Sequence, residues 1–264
     1  MQALFDIGNT HTHVAFATGG RIGRMFEVPT AEWELGGAAG RVLKQAGRRR
    51  VESAAICSVV PMATGSVVRF LEETWKVRPF QLTHRVTGGL KIDYPRPSSI
   101  GPDRLANAIA ALSLLAPPLV VVDFGTAVTF DVVDRRGCYV GGIIAPGLAA
   151  MTDYLHEKTA LLPRIRIRRE PAVIGRSTRQ AMRIGAIHGY RGLVRELIRE
   201  LARELGVRRL PVLATGGYAS LIADQLSEID RVEPKLTLAG LLRASRCGTM
   251  GAWSGADPGA GRDP

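Results

Sequence analysis

Two stretches of this 264-residue chain repeat one another. Residues 4–16 read LFDIGNTHTHVAF and residues 121–133 read VVDFGTAVTFDVV. In each, an apolar run ends on Asp, one apolar residue, Gly and a small polar residue, and a second apolar-polar run follows. Asp6-Ile7-Gly8-Asn9-Thr10 and Asp123-Phe124-Gly125-Thr126 occupy matching places. Internal self-similarity marks a repeated supersecondary unit. One strand–turn–strand unit in each half predicts a duplicated α/β protein of two lobes, with a cleft that brings the two Asp residues together.

Around the repeats the hydropathy pattern alternates strand and helix. Strands are expected at residues 2–8, 12–18, near 21–28, at 53–59, from 119 to about 145, and at 211–215. Helices are expected at 31–48, 62–76, from Pro102 onward, at 147–158 and 176–205, with terminal helices after that. Leu119 to Val122 is continuously apolar and β-branched, as a strand buried on both faces requires. Pro102 suits a first helical turn, where its missing N–H has no partner to lose. The expected division is an N-terminal lobe over 1–115, a C-terminal lobe over 116–250, and a disordered Gly-, Ala-, Asp- and Pro-rich tail over 251–264.

Composition narrows the function classes. An apolar fraction of 46% is ample for a core. No uninterrupted apolar run reaches the ~18 residues that would suggest a membrane span. The opening residues lack a basic region ahead of an apolar one, which argues against a secretory signal and for a cytoplasmic protein. Cys57, Cys138 and Cys247 stand far apart, so neither a disulfide framework nor a zinc ribbon is expected, only inert thiols. The net charge of +11 is carried by Arg-rich runs such as Arg48–Arg50 and Arg164, Arg166, Arg168. Such a field favours anions, nucleotides and acidic metabolites included. Aromatic residues are only 6% and do not interleave with the basic runs, which argues against a nucleic-acid interface and for solvated basic faces.

The turns themselves suit phosphate chemistry. Gly directly after the Asp-x step lets backbone approach a bulky anion. The N–H groups of such a turn, with Thr or Asn beside them, hold phosphate oxygens. The carboxylate can orient Mg²⁺ through water, since Mg²⁺ keeps most of its hydration shell. One Asp-x-Gly is an ordinary turn signal; two equivalent copies at the ends of buried strands point to a triphosphate gripped from both sides. No G-x-x-x-x-G-K-[ST] is present, so the chain is not a P-loop protein. G-x-S-x-G and H-E-x-x-H are absent as well. His11 and His13 share one face of a strand, but no third metal ligand is identifiable, so they read as surface or cleft-facing. His156 is open between a substrate approach and helix packing; His84 and His188 form no pattern.

DIGNT at 6–10, GPDR at 101–104, DFGTAVTFD at 123–131, GGIIAPG at 141–147 and ATGG at 214–217 together resemble the type III pantothenate kinases. These belong to the acetate and sugar kinase, heat-shock chaperone and actin superfamily. The resemblance runs in order from residue 4 to about 242, and GPDR followed about twenty residues later by DFGTA is its family-specific part. It implies two actin-like, ribonuclease H-like lobes around an ATP cleft. It implies phosphorylation of pantothenate to 4′-phosphopantothenate, the first step of coenzyme A biosynthesis.

By the same resemblance Asp6, Ile7, Gly8, Asn9, Thr10, His11, Thr12 and His13 would bind the ATP phosphates, and Thr126 would contact ATP. Asp6 would lie near Mg²⁺ through water, and Asp123 would coordinate K⁺ or NH₄⁺. Asp103 would be the general base, while Tyr94, Gly101, Pro102, Asp103 and Arg104 would line the pantothenate pocket. Thr178 would reach pantothenate from a neighbouring subunit, which implies a homodimer. The residues agree in kind: Asp103 opens a helix, where the dipole favours a carboxylate, and Arg104 can grip a carboxylate with two N–H groups. Pro102 stands where Ala is usual, Val128 where Thr is usual, and His13 where some members carry Lys. The competing expectations are a kinase of the same superfamily acting on another small hydroxylated substrate, and a nucleic-acid-associated transcription accessory factor.

Overall fold

The computed structural model of the chain describes residues 1–250, with side chains through residue 247. The first repeat opens on β1 (Gln2–Ile7), whose Ala3, Leu4, Phe5 and Ile7 are all buried. β1 pairs antiparallel with β2 (His11–Thr18), setting Asp6 opposite His13. On its other side it pairs parallel with β5 (Ser53–Ser58), setting Asp6 opposite Cys57. β3 (Arg21–Ile22) and β4 (Phe26–Pro29) both lie on β2, and β6 (Phe80–Gln81) lies beyond β5. The strand expected near 21–28 is in two pieces because the Gly23 N–H turns back to the Phe16 carbonyl, 2.9 Å away. The helix expected over 31–48 is likewise split, into α1 (Glu32–Leu35) and α2 (Gly37–Ala46), at Gly36 with its left-handed φ of 84°. These helices and α3 (Pro61–Trp75) bury Trp33, Val42, Val67 and Phe70 with Phe5 and Ile7.

The second sheet has β8 (Leu119–Phe124), β9 (Ala127–Val133), β10 (Cys138–Pro146), β11 (Val212–Thr215), β12 (Arg231–Val232) and β7 (Lys91–Ile92). Its order is β12-β11-β8-β9-β10-β7. The duplication is visible in the pairing. β8, like β1, has an antiparallel hairpin partner on one side (β9) and a parallel crossover partner on the other (β11). α5 (Leu148–Lys158), α6 (Thr178–Glu204) and α7 (Ala219–Ala223) join this lobe. Tyr190, Val194 and Ile198 of α6 pack in one cluster with Val120, Val122, Phe124 and Val128.

α4 (Pro102–Ala111) and α8 (Leu236–Met250) pack on one another between the sheets. Their Leu105, Ile109, Leu238 and Leu241 share a core with Leu4 and Ala55 of the first sheet and Val121 and Tyr139 of the second. The lobes therefore exchange elements. β7 precedes residue 115 yet joins the second sheet, and α8 returns to pack on β1 and β5. The tail expected over 251–264 lies outside the described residues. Among the described residues no helix is long and apolar enough to cross a membrane.

Candidate active site

The two repeated turns meet across the cleft. Thr10 and Thr126 bring their hydroxyls to 3.1 Å. In the first turn the Gly8 N–H donates to the His11 carbonyl at 3.1 Å, which leaves Asn9, Thr10 and His11 exposed. Ile7 and Thr12 differ from the expectation for this loop. Ile7 is packed in the first core, and Thr12 is fully buried, its Oγ1 accepting from Trp33 Nε1 at 3.2 Å and lying 3.1 Å from Thr30 Oγ1. Neither side chain is free to meet a nucleotide; alternation along β2 turns His11 and His13 one way and Thr12 the other.

Asp6, at the end of β1, is bordered by Cys57 and His13. The Cys57 thiol donates to Asp6 Oδ1 at 3.5 Å, and His13 Nδ1 lies 3.5 Å from Asp6 Oδ2. The other imidazole nitrogen of His13 is 3.7 Å from Glu27. Its hydrogen bond to Asp6 raises the His13 pKa against the opposing effect of burial. Burial, reinforced by Asp6, drives the Cys57 thiol well above its ordinary value, so this thiol is inert as expected.

α4 supplies three residues expected from sequence, Pro102, Asp103 and Arg104, and one that was missed. Asp103 sits in its first turn, Oδ1 accepting the Arg104 N–H at 2.9 Å. The expectation that the helix end would favour the ionised form is corrected here: burial, and then the charge of Asp6, raise the Asp103 pKa. Asn107, one helical turn on, donates to Asp123 Oδ2 at 3.1 Å and accepts from Thr237 of α8 at 2.9 Å. The i, i+4 spacing from Asp103 was the signal that could have found it. Asp123, at the end of β8, is pushed up to about 6 by burial, with Asp6 and Asp103 adding to the rise and Asn107 opposing it. Gly216, with φ 92°, lies directly on it: a Cβ there would stand 2.6 Å from Asp123 Oδ1. A Cβ would stand equally close to the Phe124 backbone, and together with the left-handed φ these contacts require a glycine in ATGG.

Asp6, His13, Glu27, Asp123, Gly216 and Lys235 are among the residues lining a cleft of ≈ 270 Å³. Lys235, also missed, donates to the Gly23 carbonyl at 2.7 Å and so ties α8's approach to the first lobe. No group of three or more His, Cys, Asp or Glu among the described residues is arranged to hold a metal directly, and this applies to the His11 and His13 pair. The donor set of Asp6, Asp123, threonine hydroxyls and turn N–H groups instead suits a cation held through water and phosphate oxygens.

On the far side of α4, Arg104 Nε donates to the buried Asp131 at 2.6 Å. Tyr94 lies edge-on to Tyr139, with ring centroids 6.4 Å apart, and beside Gly141. Gly101 caps α4, and Pro102 occupies its first turn and borders a second hollow of ≈ 360 Å³ with Ser58, Val59 and Thr64. Val128 is fully buried, so its replacement of a hydroxyl falls in the core. Thr178 is exposed at the start of α6, after Ser177 caps the helix by accepting the Gln180 N–H at 3.3 Å. No hydrogen bond among the described residues joins Thr178 to α4. A further hollow of ≈ 730 Å³ lies between α5 and α6, lined by Pro146, Met151, Tyr154, Leu155 and Met182. Several basic residues are engaged in ion pairs, among them Arg169 with Asp224 and Arg183 with Glu170.

Residues 3–200 match the family model described as type III pantothenate kinase. A type III pantothenate kinase of Methylacidiphilum infernorum is 43% identical over 239 residues, covering 90% of this chain and 85% of its own. One of Akkermansia muciniphila is 50% identical over 193 residues, covering 73% and 77%. Among solved structures, a Campylobacter jejuni protein described as a Baf family transcriptional activator superposes with TM-score 0.58 at 17% identity, covering 92% of this chain and 97% of that one. A Sinorhizobium meliloti protein described as a 2-dehydro-3-deoxygalactonokinase gives 0.54 at 12% identity, covering 93% and 98%. At these identities the structural likenesses establish the two-lobed actin-like fold alone.

Proposed function

This chain belongs to the type III pantothenate kinase family and transfers a phosphoryl group from ATP to pantothenate, the first step of coenzyme A biosynthesis; we propose that Asp103 is the base of that transfer. The observation that carries the assignment is a carboxylate at the head of α4 whose hold on a proton is raised by burial and by Asp6. A base works best when its pKa is brought up towards the operating pH.

Phosphoryl transfer asks the protein mainly for positioning and charge neutralisation. The facing turns, through Asn9, Thr10, Thr126 and their backbone N–H groups, hold the triphosphate. Asp6 would hold a divalent ion, Mg²⁺, through water. Such an ion would supply positive charge to offset that of the triphosphate. Asp123, oriented by Asn107, which Thr237 holds in turn, would hold a monovalent cation, K⁺ or NH₄⁺. Burial first, and the neighbouring carboxylates after it, raise the pKa of Asp103 and Asp123, and a cation there would offset the charge part of that rise. Arg104 pairs with the pantothenate carboxylate, Tyr94 flanks it, and Asp103 takes the proton of the attacking hydroxyl. The lobes we assign to either side of the cleft are residues 1–115, apart from β7, and 116–250, apart from α8, which pack across that boundary. A second copy of the chain covers the apolar hollow between α5 and α6, and Thr178 of one copy completes the pantothenate pocket of the other.

The test is ADP release with ATP, Mg²⁺ and pantothenate in K⁺, NH₄⁺ or Na⁺, alongside Asp103→Asn. Turnover should need K⁺ or NH₄⁺ and fall by about 10²–10⁴ in the variant. A variant as fast as the wild type removes Asp103 as base; equal rates in Na⁺ remove the cation site.

A further inference from the structure

We propose that Asp131 is a positioning residue for the pantothenate carboxylate, acting through Arg104. The inference rests on the reading above that Arg104 meets that carboxylate. Asp131 is fully buried on β9, where its neighbours across the sheet are Val121 and Gly142. Its Oδ1 accepts from Arg104 Nε at 2.6 Å and from the Tyr139 hydroxyl at 3.2 Å. The Arg104 guanidinium also lies over the Tyr139 ring, 5.8 Å from its centroid. Arg104 from α4 and Tyr139 from β10 thus face the carboxyl directly, and Asp103 and Asp123 act on it from further off. Burial raises the Asp131 pKa to about 7 against the pull of Arg104.

An ion pair serving stability alone would be expected to close on itself, two parallel N–H···O bonds satisfying both partners. This one is left open. Arg104 Nη2 and Asp131 Oδ2 are both buried without a hydrogen-bond partner. Buried polar atoms without partners are rare and costly, and are expected where something else completes them. The sheet is closely packed here: a Cβ on Gly142 would overlap the Phe130 carbonyl, and would also stand 2.8 Å from Arg104 Nη2. Asp131 therefore holds Arg104 from behind by Nε, and the rest of the planar fork keeps one orientation with N–H groups unspent. The side chain as a whole retains 14% exposure, so a substrate carboxylate would approach Arg104 from its open side, while Nη2 stays under cover.

The test compares pantothenate with pantothenyl alcohol, which carries a hydroxyl in place of the carboxylate, in the wild type, Arg104→Gln, Asp131→Asn and Tyr139→Phe. Asp131→Asn should raise KM for pantothenate about tenfold or more, leave KM for ATP within about twofold, and narrow the acid-to-alcohol ratio of kcat/KM. Arg104→Gln should collapse that ratio, and Tyr139→Phe should narrow it less than Asp131→Asn. A ratio lost in Arg104→Gln but unchanged in Asp131→Asn makes Asp131 merely structural and overturns the inference. A ratio untouched by Arg104→Gln overturns the reading of Arg104 and this inference with it. Thermal melts establish that each variant folds. If Asp131→Asn does not, Tyr139→Phe decides alone, since it keeps the carboxylate, and an unchanged ratio there overturns the proposal.

Discussion

A carboxylate at a helix N-terminus is ordinarily stabilised as an anion. Asp103 goes the other way because it is largely desolvated and faces a second negative charge at Asp6. The sign follows directly. A base must be unprotonated to act, so its activity is lost as pH falls through its pKa. The acid limb of kcat/KM for pantothenate should therefore lie above the ordinary aspartate value of about 3.9. A pH–rate profile checks this, and an acid limb at or below that value would mean that another group is the base. The same profile in Asp103→Asn should retain only residual activity, without that limb.

At the scale of the element, the β1–β2 hairpin is held by a relay with one direction. Trp33 Nε1 donates to Thr12, Thr12 is hydrogen-bonded to Thr30, and Thr30 donates to the Gly8 carbonyl at 2.7 Å. Thr12 is thereby part of the support under the Gly8–His11 turn and not of its surface. Thr12→Val leaves the Trp33 N–H unsatisfied in the core, and should cost about 1–3 kcal/mol of stability. KM for ATP should barely change, since Thr30 keeps its bond to Gly8. Urea denaturation and steady-state kinetics separate the two; weaker ATP use at full stability would give Thr12 a direct nucleotide role. α4 shows the same economy: residues 103, 104 and 107 lie within a turn and a half of it, and Arg104 and Asn107 engage carboxylates on two different strands.

Crowding carboxylates around one cleft affects the whole molecule. Asp123 binds its proton more tightly in the folded state, with a pKa of about 6 against an ordinary 3.8. Its contribution to stability is thus fully present below about pH 4, and is lost as pH rises through about 6. Asp123→Asn removes the charge, so the variant without ligands should be more stable than the wild type at pH 8 by up to about 3 kcal/mol. The gap should narrow as pH falls towards 4. Denaturant melts at several pH values test this, and a gap independent of pH would contradict the linkage. A second prediction concerns assembly. Leu155→Arg places a charge on the apolar hollow between α5 and α6, and should leave the fold intact while giving monomers in sedimentation. Pantothenate turnover should then fall with dimerisation, because Thr178 is assigned to the partner's site.

The duplication, the order of the main strands and helices, and the two Asp-x-Gly turns were determined by the sequence by itself. Each is carried by contiguous residues: apolar periodicity marks a strand or helix, and a Gly after Asp marks a turn. The alternation of His11, Thr12 and His13 even held the information that Thr12 turns inward. The two-residue strands β6, β7 and β12 were not legible, because a period cannot be read from so few residues. Tertiary structure alone decided which side chains meet. Asn107 reaches Asp123, Thr237 reaches Asn107, and Arg104 reaches Asp131 because α4 and α8 lie between the sheets. It also decided that Asp103 and Asp123 hold protons more tightly than usual. Desolvation and the charge of a distant neighbour depend on position in space, and a local pattern of residues does not carry that position.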